Sequence, residues 1–409
     1  MKKIIIFNVG SSSCKFQIFT SDLKLLGKGQ VERIGIAKTK TIYKKELLII
    51  KGIPGTINQD IEHPINRIVI EEKDINFHQL PNYIIDFLEK NNLVKLEDVY
   101  LMVHRVVNGG DIFKNDILVN DIILDELKKT CSLAPLHNPF NISTLESFYN
   151  KCPQAQQAVV FDTTFHSTIT QLKHLYTIPL SFYQNEKIRK YGAHGSSHHF
   201  ITNQLQTHLN KDSVNLINIH LGNGASICVI EDGKSFDTSM GFTPLAGLMM
   251  GTRTGDIDPS IIFHLINQLK IDPKEVEHIF IKKSGLLGIS ELSSDMRDII
   301  SAIEKGNEKA YLARQVFIDK IVNYLVMYLN QLPHYDGIVF TGGIGENDHN
   351  LIREVINNIR IKHLVVKGTF TNHNEINLIS DESSEIPIFI IPTNEELYMA
   401  KIGKKLIGE

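Results

Sequence analysis

The sequence predicts an α/β fold with mixed sheets in which one domain occurs twice. Residues 3–31 and 216–238 each read as an apolar strand, a glycine turn, a second strand, a tight turn and a third strand. Alternating polar and apolar residues mark the strands, and Asp232-Gly233 is a favoured hairpin dipeptide. Helical patterns accompany these antiparallel meanders, a combination that is not typical of a Rossmann fold.

Four later segments predict the helices. Asp258-Pro259 provides an N-cap and a proline at the first helical position. Residues 308–332 predict a long helix that faces the core, and 337–347 predict a strand, a glycine-rich turn and a helix start. Residues 386–407 predict a strand and a C-terminal helix capped by Thr393 or Asn394. The apolar stripes of the first two helices are Ile262, Leu265, Ile266 and Leu269, and Leu312, Val316, Ile321, Leu325, Tyr328 and Leu332.

The composition predicts a cytoplasmic protein with more than one domain. The chain has 409 residues, 42% of them hydrophobic and 22% charged. A formal net charge of −3 argues against nucleic acid and anionic membranes as partners. The four cysteines form no C-x-x-C pair, so we expect neither a zinc site nor a disulfide scaffold. No apolar run reaches the ~20 residues of a membrane span, and the first run ends too early for a signal peptide.

Three glycine turns, each after an apolar strand, suggest phosphate binding. In residues 8–15 a glycine, three serines and Lys15 could surround phosphate oxygens, although the spacing is not that of a P-loop. Residues 220–224 repeat this logic, and residues 342–347 open a helix, where a nucleotide phosphate or ribose is favoured. Each turn alone could equally be an ordinary connection. Together they favour a nucleotide site.

Three arginines stand in unusual sequence contexts. Arg105 lies in an apolar strand before two glycines, Arg253 lies between glycines, and Arg297 follows Asp295. A guanidinium offers a planar fork for carboxylate or phosphate oxygens. The alternative for each is a structural salt bridge to an aspartate such as Asp256.

Histidines and one aspartate complete the candidate chemistry. His194, His198 and His199 cluster within six residues, yet no zinc-binding pattern surrounds them. We expect hydrogen-bond donors to an anion, with at least one histidine capping the adjacent helix. Asp162 ends an apolar strand, which suits a catalytic or magnesium-positioning carboxylate, or else an N-cap.

Taken together, ten stretches resemble the acetokinase family, in the superfamily that includes sugar kinases and actin. The resemblance runs in order from residue 8 to residue 397. It implies two duplicated actin-like (ribonuclease H-like) domains, at 1–160 with 386–409 and at 161–385, an active site in the cleft between them, and a homodimer. The stretches are "NVGSSSCKF", "HRVVNGG", "LAPLHNP", "FDTTFH", "RKYGAHGSSH", "HLGNGAS", "DTSMGFTPLAGLMMGTRTGDIDP", "SDMRDI", "FTGGIGEN" and "PTNEEL".

The resemblance also implies an activity and a set of roles. The family transfers a phosphoryl group reversibly between ATP and acetate, giving acetyl phosphate and ADP, with Mg²⁺ or Mn²⁺. By motif, Asn8 and Glu395 would hold the metal, and Arg105 would bind the acetate carboxylate. The remaining catalytic residues would be Asp162, His194, Arg253 and His137. The nucleotide-binding residues would be Lys15, Ser11, Ser13, His220, Leu221, Gly222, Asn223, Gly224, Asp295, Met296, Arg297, Gly342, Gly343, Ile344, Gly345 and Glu346.

The chemistry explains why no nucleophile–base pair is conspicuous. Carboxyl groups ordinarily titrate near ~4, so acetate is already ionised and needs no general base. Phosphoryl transfer depends mostly on alignment and on stabilisation of negative charge. We therefore expect direct in-line transfer, in which Asp162 orients metal-bound water or an arginine rather than removing a proton.

Four positions depart from the family pattern and leave alternatives open. Ala193 stands where phenylalanine is usual, Ala246 where glutamate is, Asn108 where histidine is and Ser196 where threonine is. A small residue beside His194 could loosen that wall of the site. The alternatives are a propionate or other short-chain acyl kinase, a nucleotide-driven conformational protein of the actin type, and an inactive copy.

Overall fold

The computed structural model describes residues 2–10, 13–32, 48–51, 68–71, 79–91, 93–135, 137–368 and 375–409. The chain divides into two compact units. The first unit comprises Met1–Thr164 and Asn394–Glu409, and the second comprises Phe165–Thr393. The boundaries expected from the sequence, at 160 and 386, lie a few residues earlier.

The described strands of the first unit form one eight-stranded sheet in the order β5-β4-β3-β2-β1-β6-β8-β7. The neighbours β1, β2 and β3 are antiparallel, whereas β1, β6 and β8 run parallel. The strands are β1 (Lys3–Val9), β2 (Ser13–Thr20), β3 (Leu25–Glu32), β4 (Leu48–Lys51), β5 (Ile68–Glu71), β6 (Val99–Val106), β7 (Ile117–Leu118) and β8 (Gln156–Phe161).

Helices flank this first sheet. The helices are α1 (Leu80–Lys90), α2 (Asp121–Lys129), α3 (Asn138–Lys151) and the C-terminal helix (Glu395–Leu406). The C-terminal helix packs on β1, β6 and β8, so the end of the chain completes the first unit. Its N-cap is Asn394, whose side chain accepts a hydrogen bond from Leu397 N at 3.0 Å.

The second sheet has the order β11-β10-β9-β12-β14-β13 among the described residues. Its strands are β9 (Leu216–Leu221), β10 (Ala225–Glu231), β11 (Lys234–Thr238), β12 (Gly337–Thr341), β13 (Asn377–Leu378) and β14 (Ile388–Ile390). Here too a three-stranded antiparallel meander is followed by two parallel strands and a short antiparallel edge strand. The shared order and strand directions confirm the predicted α/β fold and its duplication.

The second unit surrounds its sheet with helices. Its core brings strands β9, β10 and β12 together with the long helix α11. The helices are α4 (Gln171–His174), α5 (Leu180–Glu186), α6 (Gly195–Leu209), α7 (Ser260–Asn267), α8 (Pro273–Lys282), α9 (Gly285–Ser290), α10 (Met296–Glu304), α11 (Glu308–Leu329), α12 (Gly342–Asn347) and α13 (His349–Asn357).

Two predicted apolar stripes only partly match the core. Ile321, Leu325 and Tyr328 of α11 are fully buried, but Leu312 is 54% exposed. Helix α7 contains no buried residue. Periodicity identifies an apolar face but does not determine whether the same chain covers it. Across the parts of the chain that the structure describes, no helix has the length and apolarity needed to cross a bilayer.

Candidate active site

In the first unit, the ends of three parallel strands gather the predicted catalytic side chains. Asn8 lies near the end of β1, Arg105 near the end of β6, and Asp162 directly after β8. Because β1, β6 and β8 are adjacent and parallel, their carboxyl ends share one edge of the sheet. Such an edge is a common place for ligands in α/β proteins.

Arg105 and Asp162 form a bidentate ion pair in which Asp162 is fully buried and Arg105 is partly exposed. Arg105 Nε donates to Asp162 Oδ1 at 2.9 Å, and Nη2 donates to Oδ2. Arg105 Nη1 also donates to Asn8 Oδ1 at 2.9 Å. A guanidinium has five N–H donors, so three are used by these described residues and the outer edge can still meet a ligand carboxylate. The salt bridge and the proposed ligand-binding role are therefore compatible.

Glu395, the first residue of the C-terminal helix, lies near this pair. The pKa of Glu395 is raised to about 7, mainly because its carboxyl group is buried; Asp162 and Glu396 also raise it, whereas Arg105 and Lys15 lower it. A carboxylate in this setting is stabilised by a cation. Amide and carboxylate oxygens, as on Asn8 and Glu395, are ligands that Mg²⁺ prefers, usually together with substrate phosphates. No group of three His, Cys, Asp or Glu side chains in the described residues forms a metal site.

The other predicted residues of the first unit adjoin the end of β1. Lys15 is paired with Asn8 across the β1–β2 hairpin, and the Ser13 carbonyl closes the turn by accepting from Gly10 N at 2.7 Å. His137 directly precedes α3, whose Asn141 donates to the Val9 carbonyl at 2.6 Å. Ser11 lies outside the described residues.

In the second unit, His194 and Arg253 face one glycine. A methyl group placed on Gly224 would stand 3.1 Å from His194 Nε2 and 3.8 Å from Arg253 Nη1. Arg253 Nη1 donates to the Pro244 carbonyl at 3.0 Å. Asp256, the suggested salt-bridge partner, instead accepts from Gly247 N and the Tyr324 hydroxyl. The guanidinium is thus positioned by backbone beside the imidazole.

The predicted nucleotide-binding residues of this unit collect around the end of β9. The Asn223 carbonyl accepts from Gly251 N at 3.0 Å, which joins the 222–224 turn to the segment that carries Arg253. Gly342, with a φ of +80°, packs so closely that a Cβ would stand 2.6 Å from the Leu221 carbonyl oxygen. The structure therefore brings His220, Leu221, Gly222, Asn223, Gly224, Gly342, Gly343, Ile344 and Gly345 to one strand end.

In two of the predicted nucleotide-binding segments, residues 342–346 and 295–297, a charged side chain already has a partner within the segment. Helix α12 begins at Gly342, earlier than the sequence suggests, and Glu346 Oε1 accepts from Gly342 N at 2.9 Å. A carboxylate therefore already occupies the N–H group that a phosphate would use. Asp295 caps α10, Met296 is buried, and the Arg297 side chain is 89% exposed and paired with Asp295. Of these three residues, the arginine is the most exposed to solvent.

The histidine cluster separates into different environments. His194 has a left-handed backbone, with φ at 57°, which is a strained conformation frequent at functional sites. His198 is buried, and His199 stacks on Phe165 with ring centroids 4.8 Å apart. His194 occupies the N-cap position of α6, but no side chain there makes a capping hydrogen bond, so the capping expectation is wrong.

Sequence reasoning missed the polar residues behind His194. Ser226 on β10 is the register partner of His220 on β9, and its hydroxyl lies 2.9 Å from His194 Nδ1. The register of the β9–β10 hairpin, which turns at Gly222–Gly224, could have revealed Ser226, because it places Ser226 beside His220. Ala193 belongs to the hydrophobic core of the second unit.

We expect Gly224→Ala to reduce kcat by about 10-fold or more with little loss of stability, because the new methyl displaces His194 by a few tenths of an ångström. Steady-state kinetics and thermal melting measure the two effects. Gly368→Ala is the matched control, since nothing lies within 4 Å of its added methyl group. Equal kinetics for both variants would contradict the placement of His194.

A second prediction concerns Asp116, which accepts from Phe161 N at 3.0 Å beside Asp162. Its pKa is raised to about 6, mainly by burial and to a smaller extent by the Asp162 carboxylate, whereas hydrogen bonds from Phe161 and Thr164 lower it. A raised carboxyl pKa means that its contribution to stability is lost as pH rises from about 4 through about 6. Asp116→Asn should therefore gain about 2 kcal/mol over the natural protein between pH 4 and pH 7. Urea unfolding of both proteins across this range measures the difference, and a constant difference would contradict it.

Comparison with known proteins decides the family. The model of the acetokinase family matches residues 3–401. The chain belongs to the acetokinase family. Members of this family are phosphotransferases that use a carboxyl group as acceptor.

Members of the acetokinase family resemble the chain over its whole length. Acetate kinase of Finegoldia magna is 38% identical over 403 residues, covering 98% of both chains. A propionate kinase structure from Francisella tularensis has a TM-score of 0.89 at 35% identity, covering 99% of this chain and 100% of that one. Porphyromonas gingivalis acetate kinase has a TM-score of 0.87 at 30% identity, with full coverage of both chains.

Proposed function

We propose that this acetokinase transfers a phosphoryl group reversibly between ATP and acetate, forming acetyl phosphate and ADP in the cytoplasm. The observation that carries the proposal is the arrangement of Arg105, held by Asp162 and Asn8 at the ends of parallel strands. A fixed, partly exposed guanidinium suits a small carboxylate that must be aligned but not activated.

The proposed role of each residue follows from the hydrogen-bond donors or metal ligands that its side chain offers. The outer edge of Arg105 binds the acetate carboxylate, and Arg253 with His194 stabilises charge on the transferred phosphoryl group. Asn8 and Glu395 hold Mg²⁺, which neutralises phosphate charge when bound. Lys15, His137 and the glycine turns bind the phosphates and the nucleotide.

Asp162 acts in this proposal by orienting Arg105. Both of its carboxylate oxygens accept hydrogen bonds from the guanidinium, and the residue is fully buried. Both oxygens are therefore committed to the guanidinium, which leaves the carboxylate in an orienting role. This agrees with a nucleophile that is already ionised.

Propionate is the second candidate acceptor, because a propionate kinase is among the similar structures. The test is a hydroxylamine-trapping assay of acyl phosphate, with ATP, Mg²⁺ and acetate, propionate or butyrate in turn. The highest kcat/KM with acetate supports the proposal, and a preference for propionate replaces it with the alternative. No acyl phosphate from any acid would refute both, and carboxylate-independent ATP hydrolysis would favour the actin-type alternative.

We also propose a homodimer through the apolar surface of the second unit. Leu172 is 88% exposed and Phe263 is 64% exposed. Tyr176 of the same unit is 37% exposed, and its hydroxyl accepts a hydrogen bond from Phe242 N at 2.7 Å. Exposed apolar side chains of this kind are typical of an interface between subunits.

Phe263→Glu tests the dimer. A charge introduced into an apolar interface should shift the protein from dimer to monomer, as read by sedimentation velocity. Ile122→Glu is the control, since Ile122 is 74% exposed but lies in the first unit. A monomeric natural protein, or a Phe263→Glu variant that stays dimeric, would contradict this surface.

A further inference from the structure

Three buried side chains connect in a line to His194. Asn218 Nδ2 lies 2.8 Å from His198 Nδ1, and His198 Nε2 lies 2.9 Å from Ser226 Oγ. The same Ser226 Oγ lies 2.9 Å from His194 Nδ1. Asn218, His198 and Ser226 are each fully buried. The line therefore runs through the interior of the second unit, out of reach of bulk water, and ends on the imidazole beside Arg253.

The direction of these hydrogen bonds follows from the Asn218 amide group, at the end of the line away from His194. The Asn218 amide nitrogen can only donate, so His198 Nδ1 accepts. Burial lowers the pKa of His198 far below its usual value, and His166 and His220 lower it further. A neutral His198 that accepts at Nδ1 carries its proton on Nε2 and donates it to Ser226. The Ser226 hydroxyl then donates its own proton to His194 Nδ1.

The opposite amide orientation is less favourable. As placed, the Asn218 side chain leaves its buried Oδ1 without a partner among the described residues. Rotating the amide would instead leave two buried N–H groups unsatisfied. A buried N–H without an acceptor is rarer in proteins than an under-satisfied carbonyl, so the orientation that donates to His198 is preferred.

We propose that Asn218, His198 and Ser226 are positioning residues that keep His194 neutral, with its one ring proton on Nε2. This inference rests on the proposed phosphoryl transfer for its catalytic meaning, but not for its structural test. Because Nε2 faces Gly224 and the Arg253 guanidinium, the arrangement gives the phosphoryl group an oriented N–H donor beside a cation.

The groups around His194 also oppose a second proton on its ring. The His220 ring lies 4.5 Å away between centroids, and the Arg253 guanidinium lies on the Nε2 side. His166 Nε2 donates to the Ala193 carbonyl at 2.9 Å, which fixes the backbone just before His194. A second proton on His194 would need an acceptor at Nδ1, where Ser226 already donates. The adjacent cation and the other imidazoles oppose it as well.

The direct test reads the tautomer of His194 by NMR. We would label the full-length protein with ¹⁵N-histidine, record long-range ¹H–¹⁵N correlations, and assign His194 by its loss in His194→Asn. The expected result is a neutral ring protonated at Nε2 and unchanged between about pH 6 and 8. A ring protonated at Nδ1, or a positively charged ring at pH 7, would overturn the proposal.

Ser226→Ala tests whether the hydrogen-bonded line from Asn218 to Ser226 controls the protonation of His194. Without the hydroxyl donor, His194 Nδ1 can also hold the ring proton, so the neutral ring should populate both tautomers. We expect kcat to fall by about 100-fold while the KM for ATP stays unchanged. Ser239→Ala is the control, because its buried hydroxyl accepts from Ile227 N at 3.0 Å in the same sheet and lies outside the line.

The two proposals fail in different ways. If the natural protein makes no acyl phosphate, the proposed function fails, while the NMR spectrum of His194 still tests the tautomer. If the natural protein is active but Ser226→Ala and Ser239→Ala lose kcat equally, with His194 unchanged, the positioning role is refuted. A Ser226→Ala variant that melts like the Ser239→Ala control excludes misfolding as the cause of its loss.

Discussion

Replacing Arg253 with alanine lowers kcat by on the order of 10³ and leaves nucleotide affinity almost unchanged. Its guanidinium is held by the Pro244 carbonyl beside Gly224 and His194, where negative charge would develop on the transferred group. An interaction that strengthens only in the transition state changes kcat rather than ground-state binding. Steady-state kinetics and titration with ADP separate the two quantities.

Arg253→Lys is the matched control for this prediction. A lysine keeps the positive charge but has no planar fork, so we expect an activity between those of alanine and arginine. Parallel losses of kcat and ADP affinity in Arg253→Ala would show instead that the arginine binds the ground state of the nucleotide.

Asp162→Asn should raise the KM for acetate at least about 10-fold and lower kcat by about 100-fold, because Arg105 loses one of its two anchoring oxygens. The KM for ATP should stay near that of the natural protein. Since breaking a buried ion pair leaves a charge unpaired, we also expect a loss of about 3 kcal/mol in the free energy of unfolding. Kinetics with varied acetate and urea unfolding measure these effects.

The pH dependence distinguishes orientation from proton abstraction by Asp162. If it only orients Arg105, the kcat of Asp162→Asn keeps the pH profile of the natural enzyme at a lower level. Disappearance of an acidic limb would show that Asp162 accepts a proton during the reaction. A variant with unchanged acetate KM would contradict the positioning of Arg105.

The strands and the duplicated meander could be predicted from local pattern. Residues 3–9 and 216–221 are short apolar runs that end in glycine turns, and both form strands at the centre of a sheet. The N-cap at Asn394 was equally accessible, because an asparagine followed by acidic residues is a local signal. Such features depend on neighbouring residues, so periodicity and turn chemistry are sufficient.

Features that depend on long-range packing could not be predicted from the sequence. Leu312 matches the stripe of α11 but is exposed, because the stripe shows an apolar face and not what covers it. Glu346 was expected to help a nucleotide bind, yet its carboxylate accepts from Gly342 N and Thr393 N. Thr393 lies 47 residues along the chain from Glu346, and no local pattern reveals a partner at that separation.

By itself, the sequence determined the α/β class, the repeat and the residue types available for chemistry. Only the tertiary structure decided that both oxygens of Asp162 are committed to Arg105, and that Ser226 links His198 to His194. The physical reason is the distance along the chain over which each effect acts. Propensity and periodicity act over a few residues, whereas the protonation and orientation of a side chain depend on burial and on partners far away in the chain.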